Sequence, residues 1–223
     1  MNQGLNYYII DLETTGLSAQ YHEVIEISVI RASDRLQLTR YVRAQYPERA
    51  SLDALEATGK KLSDLNVGKK HSEVVQEVNN FFQLDKGFSA SRCIVGHNIA
   101  AFDVKFLHAM WEKEGCVFPA DLYLDTLLMT KQFLKTHDVS HLDLPKTARG
   151  KVSTKLASAL QITGAKTIAN KFHTAQDDTR NTYSLWKKLV EDHKMDYLSH
   201  IKNIPHAFTK LENINDLDPL EVE

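Results

Sequence analysis

Two carboxylates follow an apolar run in the segment YYIIDLETTGL, residues 7–17. In a β-strand, residues two apart point to the same face, so Asp11 and Glu13 project together while Ile10 and Leu12 point into a core. By the strand repeat, the two acidic groups lie about 6–7 Å apart, and they repel each other unless cations lie beside them. Carboxylate oxygens are hard ligands that suit Mg²⁺ or Mn²⁺, so the pair indicates a divalent-metal site.

Two further acidic segments occur later in the chain. In GHNIAAFDVKFL, residues 96–107, Asp103 lies in the first turn of a predicted helix that follows a short apolar strand. In HTAQDD, His173 comes five residues before Asp178, at the start of another predicted helix. Each segment alone has an ordinary structural explanation, because acidic residues at a helix start interact favourably with the helix dipole.

The segments DLETTGL, GHNIAAFDVKFL and HTAQDD resemble, in this order, the three motifs of the DEDDh 3′→5′ exonucleases. These enzymes are the DnaQ-like proofreading class of the ribonuclease H-like superfamily. The resemblance covers about residues 6–192, and three motifs in order are more specific than any one of them. It implies an enzyme, a metal-dependent phosphodiesterase of the DEDDh type.

The resemblance implies roles for five residues. Asp11, Glu13, Asp103 and Asp178 are the expected ligands of two divalent cations, Mg²⁺ or Mn²⁺, and Asp11 is expected to bridge both ions. Two such ions clamp a scissile phosphate, generate the attacking hydroxide and stabilise the leaving 3′ oxygen. His173 is the expected general base, because an unperturbed pKa near neutrality suits proton abstraction from water.

Substrate contacts are also expected from the resemblance. The turn after the first motif would offer N–H groups and hydroxyls to the terminal nucleotide, and its leucine would act as a wedge against the terminal bases. The second motif would line the opposite side. The expected substrate-binding residues are Thr14, Thr15, Gly16, Leu17, His97, Asn98 and Phe102.

Hydrophobic periodicity predicts the elements that position these groups. The first motif, EVIEISVIRAS and RLQLTRYVRA predict three strands with short connections, which favour antiparallel pairing. RCIVGHN and LYLD predict two later strands, each followed by a helix. We therefore expect an α/β, ribonuclease H-like fold, with a central mixed five-stranded sheet (three antiparallel strands, then two parallel) flanked by helices. This exonuclease domain is expected to span residues 1–204.

Composition limits the classes of function. The 223 residues are 43% hydrophobic, and the net charge of −2 argues against a nucleic-acid binder that relies on basic charge alone. Residues 131–171 nevertheless hold eight Lys or Arg against two Asp. This stretch fits either a surface along an incoming nucleic-acid strand or an ordinary solvated surface.

No membrane association is expected, because no apolar run approaches the roughly 18 residues of a membrane helix. The first residues lack the pattern of a secretory signal, and Cys93 and Cys116 form no metal or redox motif. The sequence therefore predicts an intracellular protein of a bacterial-type cytoplasm. Nothing in it indicates an oligomeric state.

Residues 205–223 are predicted to form an acidic C-terminal tail, with one Lys and five acidic residues. Such a tail could bind a polymerase or a repair protein. Simple disorder explains the same composition, and it is the favoured explanation.

The predicted function is a two-metal-ion 3′→5′ exonuclease that hydrolyses phosphodiester bonds at the 3′ end of single-stranded or frayed DNA. It would release nucleoside 5′-monophosphates in proofreading or repair trimming. One alternative is a 3′→5′ exoribonuclease of the same family, since contacts to the 2′-OH distinguish RNA from DNA and the sequence does not locate them. Another is a catalytically silent nucleic-acid-binding module, which the intact carboxylates and His173 argue against.

Overall fold

A computed structural model describes residues 4–84, 91–169 and 172–205. The strands and helices follow one another in the order expected from the sequence. The strands and α-helices are β1 (Leu5–Thr14), β2 (Val24–Arg31), β3 (Gln37–Tyr41), α1 (Leu52–Thr58), α2 (His71–Gln83), β4 (Ser91–Gly96), α3 (Asp103–Lys113), β5 (Leu122–Asp125), α4 (Thr126–Thr136), α5 (Leu156–Thr163), α6 (Ala175–Lys187) and β6 (Lys202–Asn203).

The strands form one mixed sheet in the order β3-β2-β1-β4-β5-β6. β1, β2 and β3 pair antiparallel, whereas β4 lies parallel to β1 and β5 parallel to β4. The predicted α/β fold with a mixed sheet is confirmed, but the predicted number of five strands is too low. β6 pairs antiparallel with the outer edge of β5. A strand of two residues carries no periodicity that sequence analysis could detect.

Alternate residues of β1 enter two different cores. Tyr8, Ile10 and Leu12 pack with side chains of α2 and α3 on one face of the sheet. Tyr7 and Ile9 pack on the other face with side chains of α4, α5 and α6. Because side chains alternate along a strand, Asp11 and Glu13 continue the Tyr7 side and point toward α6, as their spacing predicts.

Serine and threonine favour helix N-caps, so the sequence predicts Ser153 as the N-cap of α5 and Thr174 or a nearby residue as the start of α6. Thr174 is the N-cap of α6, and its hydroxyl accepts a hydrogen bond from the Asp177 N–H at 3.3 Å, as expected. Ser153 is not the N-cap of α5, because that position is occupied by Lys155. The backbone N–H of Ser153 instead donates to the Pro145 carbonyl at 2.8 Å and closes a hairpin.

The end of the predicted domain is part of the fold. Ile204 is buried in the core on the α3 side, and its N–H donates to the Asp121 carbonyl at 2.8 Å. Residues 206–223, which make up nearly all of the predicted tail, lie outside the described residues. Over the ranges that are described, no helix is both long enough and apolar enough to cross a membrane.

Candidate active site

β1 and α6 bring three carboxylates together. One ligand atom from each of Asp11, Glu13 and Asp178 lies within 4.8 Å of the other two. Asp178 is buried, and its Oδ2 accepts a hydrogen bond from the His173 backbone N–H at 2.9 Å. Its Oδ1 is buried without a hydrogen-bond partner among the described residues. A buried carboxylate oxygen that lacks a donor and lies close to two more carboxylates fits a divalent cation.

Without metal, the cluster strongly favours protonated carboxyl groups. Burial, followed by the charges of the neighbouring carboxylates, raises the pKa of Asp11 well above its ordinary value. Burial and the Asp178 charge raise the pKa of Glu13 to about 8. Burial also raises the pKa of Asp178 to about 6, although the His173 N–H opposes this shift. Like charges so close together ionise fully only when cations compensate them.

Asp103 lies beside this cluster, at the first position of α3. It is buried, and the nearby backbone N–H groups of Asp103 and Leu12 act to lower the pKa of its carboxyl group. Burial outweighs these groups and raises the pKa of Asp103 to about 8. Asp103 is outside the group of three within 4.8 Å, although its charge raises the pKa of Asp11 and of Glu13. The four predicted carboxylates therefore converge, three of them closely and the fourth next to them.

His173 reaches the cluster in two ways. Its backbone N–H binds Asp178, and its imidazole lies near enough to lower the pKa of that carboxyl group. The side chain is exposed, and the backbone adopts a left-handed conformation with φ of 65°. This conformation is unfavourable for a residue other than glycine and typically costs about 1–2 kcal/mol. In this conformation the N–H of His173 points at Asp178, so the strained backbone positions a hydrogen-bond donor for the carboxylate cluster.

The turn after β1 is closed by its own threonines. The Thr14 hydroxyl donates to the Gly16 carbonyl at 2.7 Å, and the Thr15 N–H donates to the Glu23 carbonyl at 2.8 Å. The Thr15 hydroxyl accepts from the Glu23 N–H at 2.9 Å. Both hydroxyls thus stabilise the turn, while Leu17 at its tip is 73% exposed.

Gly16 is needed in this turn because another side chain packs on it. A Cβ at position 16 would overlap the His22 ring. That ring is held in place, since its Nδ1 accepts a hydrogen bond from the Ser18 N–H at 3.1 Å. The glycine therefore permits close packing of the turn under Leu17 and is not required by a positive φ.

The turn after β4 is organised around His97 and Asp125. His97 is partly buried, its Nε2 lies 2.8 Å from the Thr154 carbonyl oxygen, and its Nδ1 lies 3.0 Å from the Thr126 hydroxyl. Burial lowers the pKa of His97 to about 4, so the ring is neutral. Asp125 accepts hydrogen bonds from the backbone N–H groups of Asn98, Ala100 and Leu127 at 2.9, 3.2 and 2.9 Å.

This arrangement affects how the second motif contacts a substrate. Both ring nitrogens of His97 are engaged within the protein, and Asn98 has a left-handed φ of 66°. Phe102 packs on Phe106 with ring centroids 4.9 Å apart. The substrate-binding roles assigned to His97, Asn98 and Phe102 stay predictions, and for His97 they depend on groups other than its ring nitrogens.

Two residues near the cluster received no assigned role from the sequence. Glu26 on β2 is buried, and the Lys60 ammonium nitrogen lies 3.3 Å from its Oε2. A glutamate inside an apolar strand is a visible signal for Glu26. Lys60 carries no such signal, because it lies 34 residues away and only the fold brings the two together.

The comparisons with known proteins agree with the fold and with the family that the three motifs resemble. The model of the RNase_T family, described as exonuclease, matches residues 8–186. The chain is similar to the PolC-type DNA polymerase III of Thermotoga petrophila, with 30% identity over 207 residues that cover 91% of this chain and 13% of that protein. It is also 32% identical over 122 residues to the PolC-type DNA polymerase III of Halalkalibacterium halodurans, covering 54% of this chain and 8% of that protein.

Among solved structures, E. coli exonuclease I in complex with a dT13 oligonucleotide aligns with a TM-score of 0.67 and 19% identity. The alignment covers 87% of this chain and 43% of that one. Exonuclease I from Methylocaldum szegediense aligns with a TM-score of 0.65, covering 85% and 41% of the two chains. At such identities the likeness establishes the shared fold, and this chain spans less than half of either protein. The family model covers most of the chain, which therefore belongs to the RNase_T exonuclease family, as its three DnaQ-like motifs predict.

Proposed function

We propose that this chain is a divalent-metal-dependent 3′→5′ exonuclease that acts on single-stranded or frayed DNA and releases nucleoside 5′-monophosphates. The observation that carries the proposal is the convergence of Asp11, Glu13 and Asp178, together with the buried Asp178 Oδ1, to which no described residue donates a hydrogen bond. The proposal is also supported by the family of this chain, an exonuclease family whose enzymes depend on divalent metal ions.

The four carboxylates are the groups that would hold two cations. Asp11, Glu13 and Asp178 would hold one ion, and Asp11 and Asp103 would hold the second. When bound, Mg²⁺ or Mn²⁺ would lower the pKa of a water molecule and compensate the charge of the scissile phosphate. The protein holds the Asp178 carboxylate in place through the backbone N–H of His173.

His173 would accept a proton from the attacking water. It is exposed just before the start of α6, its backbone N–H binds Asp178, and histidine is the side chain that most often serves as a general base. Its backbone N–H positions Asp178 at the same time, so one residue links the base and the metal ligand.

The terminal nucleotide would lie against the turn after β1. The hydroxyls of Thr14 and Thr15 hold this turn closed, and the exposed Leu17 side chain is available to contact the terminal bases. Apolar contact with bases does not depend on sequence, which suits an enzyme that shortens any 3′ end.

DNA is the proposed substrate for two reasons. The solved exonuclease I structures include complexes with dT13 and dA16 oligonucleotides. The PolC-type relatives are DNA polymerases, and this similarity supports a proofreading or repair role with a polymerase or repair partner. Binding of such a partner through residues 206–223 stays a prediction.

The test uses 5′-labelled single-stranded DNA and RNA of one sequence, with Mg²⁺, Mn²⁺ or EDTA. We expect a metal-dependent ladder that shortens from the 3′ end, faster on DNA, and no ladder with Asp178→Asn. Asp177→Asn is the matched control, because Asp177 precedes it on α6 but pairs with Arg180 at 3.2 Å. A ladder with Asp178→Asn equal to wild type would overturn the metal assignment, and a faster RNA ladder would overturn the DNA preference.

A further inference from the structure

We propose that Tyr21, Tyr46 and Arg49 form a binding site for unpaired bases of the nucleic-acid strand, next to the Leu17 turn. The inference rests on the proposed function and extends it by naming residues outside the three motifs. The ligand class is single-stranded nucleic acid upstream of the 3′-terminal nucleotide. We refer to these three residues as the aromatic platform.

The platform is an arginine in contact with two exposed rings. The Arg49 guanidinium carbon lies 3.9 Å from the centroid of the Tyr46 ring and 5.1 Å from that of Tyr21. Tyr21 is 54% exposed and Tyr46 is 41% exposed. Aromatic rings and arginine planes are the surfaces on which unpaired bases stack. The three residues therefore present stacking surfaces to solvent within one small region.

The platform is attached to the turn of the proposed active site. The Tyr46 N–H donates to Oε2 of Glu23 at 2.8 Å, and Glu23 exchanges hydrogen bonds with Thr15 through both backbones and the Thr15 hydroxyl. The Ser51 N–H, two residues after Arg49, donates to the Thr15 carbonyl at 2.8 Å. Hydrogen bonds therefore join residues 46–51 to the turn that carries Leu17.

The charge of the platform matches the same ligand. A guanidinium that stacks on tyrosine keeps N–H donors at its edge, and these suit a phosphate oxygen. Leu17, which is 73% exposed, adds an apolar side chain on the turn to which this segment is bonded. Bases stack on such a surface only when they are unpaired, so the site selects single strands over duplex.

An ordinary surface contact between arginine and tyrosine is the competing explanation, since cation–π pairs at exposed sites contribute modestly to stability. That explanation predicts an effect of substitution on unfolding and none on nucleic-acid binding. The two explanations are therefore separated by measuring binding and stability on the same variants.

The experiment measures the dissociation constant of a fluorescent single-stranded oligonucleotide by anisotropy in EDTA, where no hydrolysis is expected. We expect the Tyr21→Ala, Tyr46→Ala double variant to bind roughly 10- to 100-fold more weakly, because base–aromatic stacking contributes about 1–3 kcal/mol per base. The Tyr21→Phe, Tyr46→Phe double variant keeps both rings and should bind within about twofold of wild type. Thermal melting of each variant checks that the fold is intact.

Arg49→Gln should weaken binding, whereas Arg43→Gln is its matched control. Arg43 lies on the same segment between β3 and α1, but its guanidinium donates to the Gly68 carbonyl at 3.3 Å. Equal binding by the double alanine variant and wild type would overturn the platform. If wild type binds through the platform but shows no metal-dependent hydrolysis, the proposed function fails and the binding site stands. If hydrolysis occurs and the variants bind normally, only the platform fails.

Discussion

Glu13 on β1 lies directly opposite Glu26 on the antiparallel strand β2. Glu26 is only 1% exposed, and its charge raises the pKa of Asp11, Glu13 and Asp178. The Lys60 ammonium lies 3.3 Å from the Glu26 carboxylate. A further carboxylate next to the cluster is therefore buried and paired with a cation of the protein itself.

Lys60→Met should destabilise the protein by about 3 kcal/mol, because it leaves the Glu26 carboxylate buried without its cation. Adding Glu26→Gln to this variant should restore most of the stability. Urea unfolding in EDTA measures both effects. Lys61→Met, at the exposed neighbouring position, is the control. Equal stability of the Lys60 and Lys61 variants would show that the pair contributes nothing.

Metal-free protein should lose stability as the pH rises between the two pKa values of Glu13. Its pKa is about 8 in the folded protein and ordinarily 4.5, so within this window the folded state binds a proton that the unfolded state has released. Divalent cations should reverse this trend, because they bind the ionised carboxylates. Urea midpoints at about pH 5 and about pH 8, with EDTA or Mg²⁺, measure both slopes.

The Glu13→Gln variant tests whether the pH dependence of stability comes from the carboxylate cluster or from general charge repulsion. The variant should show a flatter pH dependence in EDTA and a smaller gain from Mg²⁺, since it removes one carboxylate of the cluster. Glu48→Gln changes the same charge at an exposed position and should leave both quantities unchanged. A pH slope in Glu13→Gln identical to that of wild type would contradict the assignment.

His173→Ala should reduce the rate constant of hydrolysis by roughly 10²- to 10⁴-fold, the usual contribution of a general base. Binding of DNA in EDTA should stay close to wild type, because alanine retains the backbone N–H that binds Asp178. Single-turnover kinetics and anisotropy measure the two quantities. His141→Ala, at another exposed histidine, is the control. Turnover of the His173→Ala variant at the wild-type rate would contradict the role of His173 as the general base.

Gly16→Ala should raise KM with little effect on the overall fold, because the new Cβ displaces the His22 ring and distorts the turn below Leu17. The Gly16→Ala, His22→Ala double variant should recover part of the loss by making room. Steady-state kinetics on single-stranded DNA measure the change. Gly4→Ala introduces the same methyl group at a position with no neighbouring atom within 4 Å, so it should leave KM unchanged. A KM unaffected by Gly16→Ala would refute this packing argument.

A chain that ends at Pro205 should keep full nuclease activity on naked oligonucleotides, because the described carboxylates and His173 all precede that point. A chain that ends at residue 200 should be less stable, since it lacks β6 and the buried Ile204. Thermal melting and the 3′ ladder assay compare the two chains. Loss of activity after removal of residues 206–223 alone would show that the tail belongs to the catalytic domain.

Local signals were sufficient for much of the fold. Alternation along β1 predicts that Asp11 and Glu13 share a face, because the two-residue period of a strand is a property of the backbone. The N-cap at Thr174 is equally local, since its hydroxyl binds an N–H three residues later. β6 was missed because two residues have no period, and its pairing with β5 depends on where the chain returns.

The sequence by itself determined the chemistry of this protein: which residues are carboxylates, which histidine follows the expected spacing, and which strands and helices carry them. Only the tertiary structure decided which distant residues pair with the charged and polar groups. The pairing of Lys60 with Glu26 joins residues 34 apart, and the contact of His97 with the Thr154 carbonyl joins residues 57 apart. Such contacts leave no local pattern, because they form only when separate elements pack and bury polar groups that then require partners.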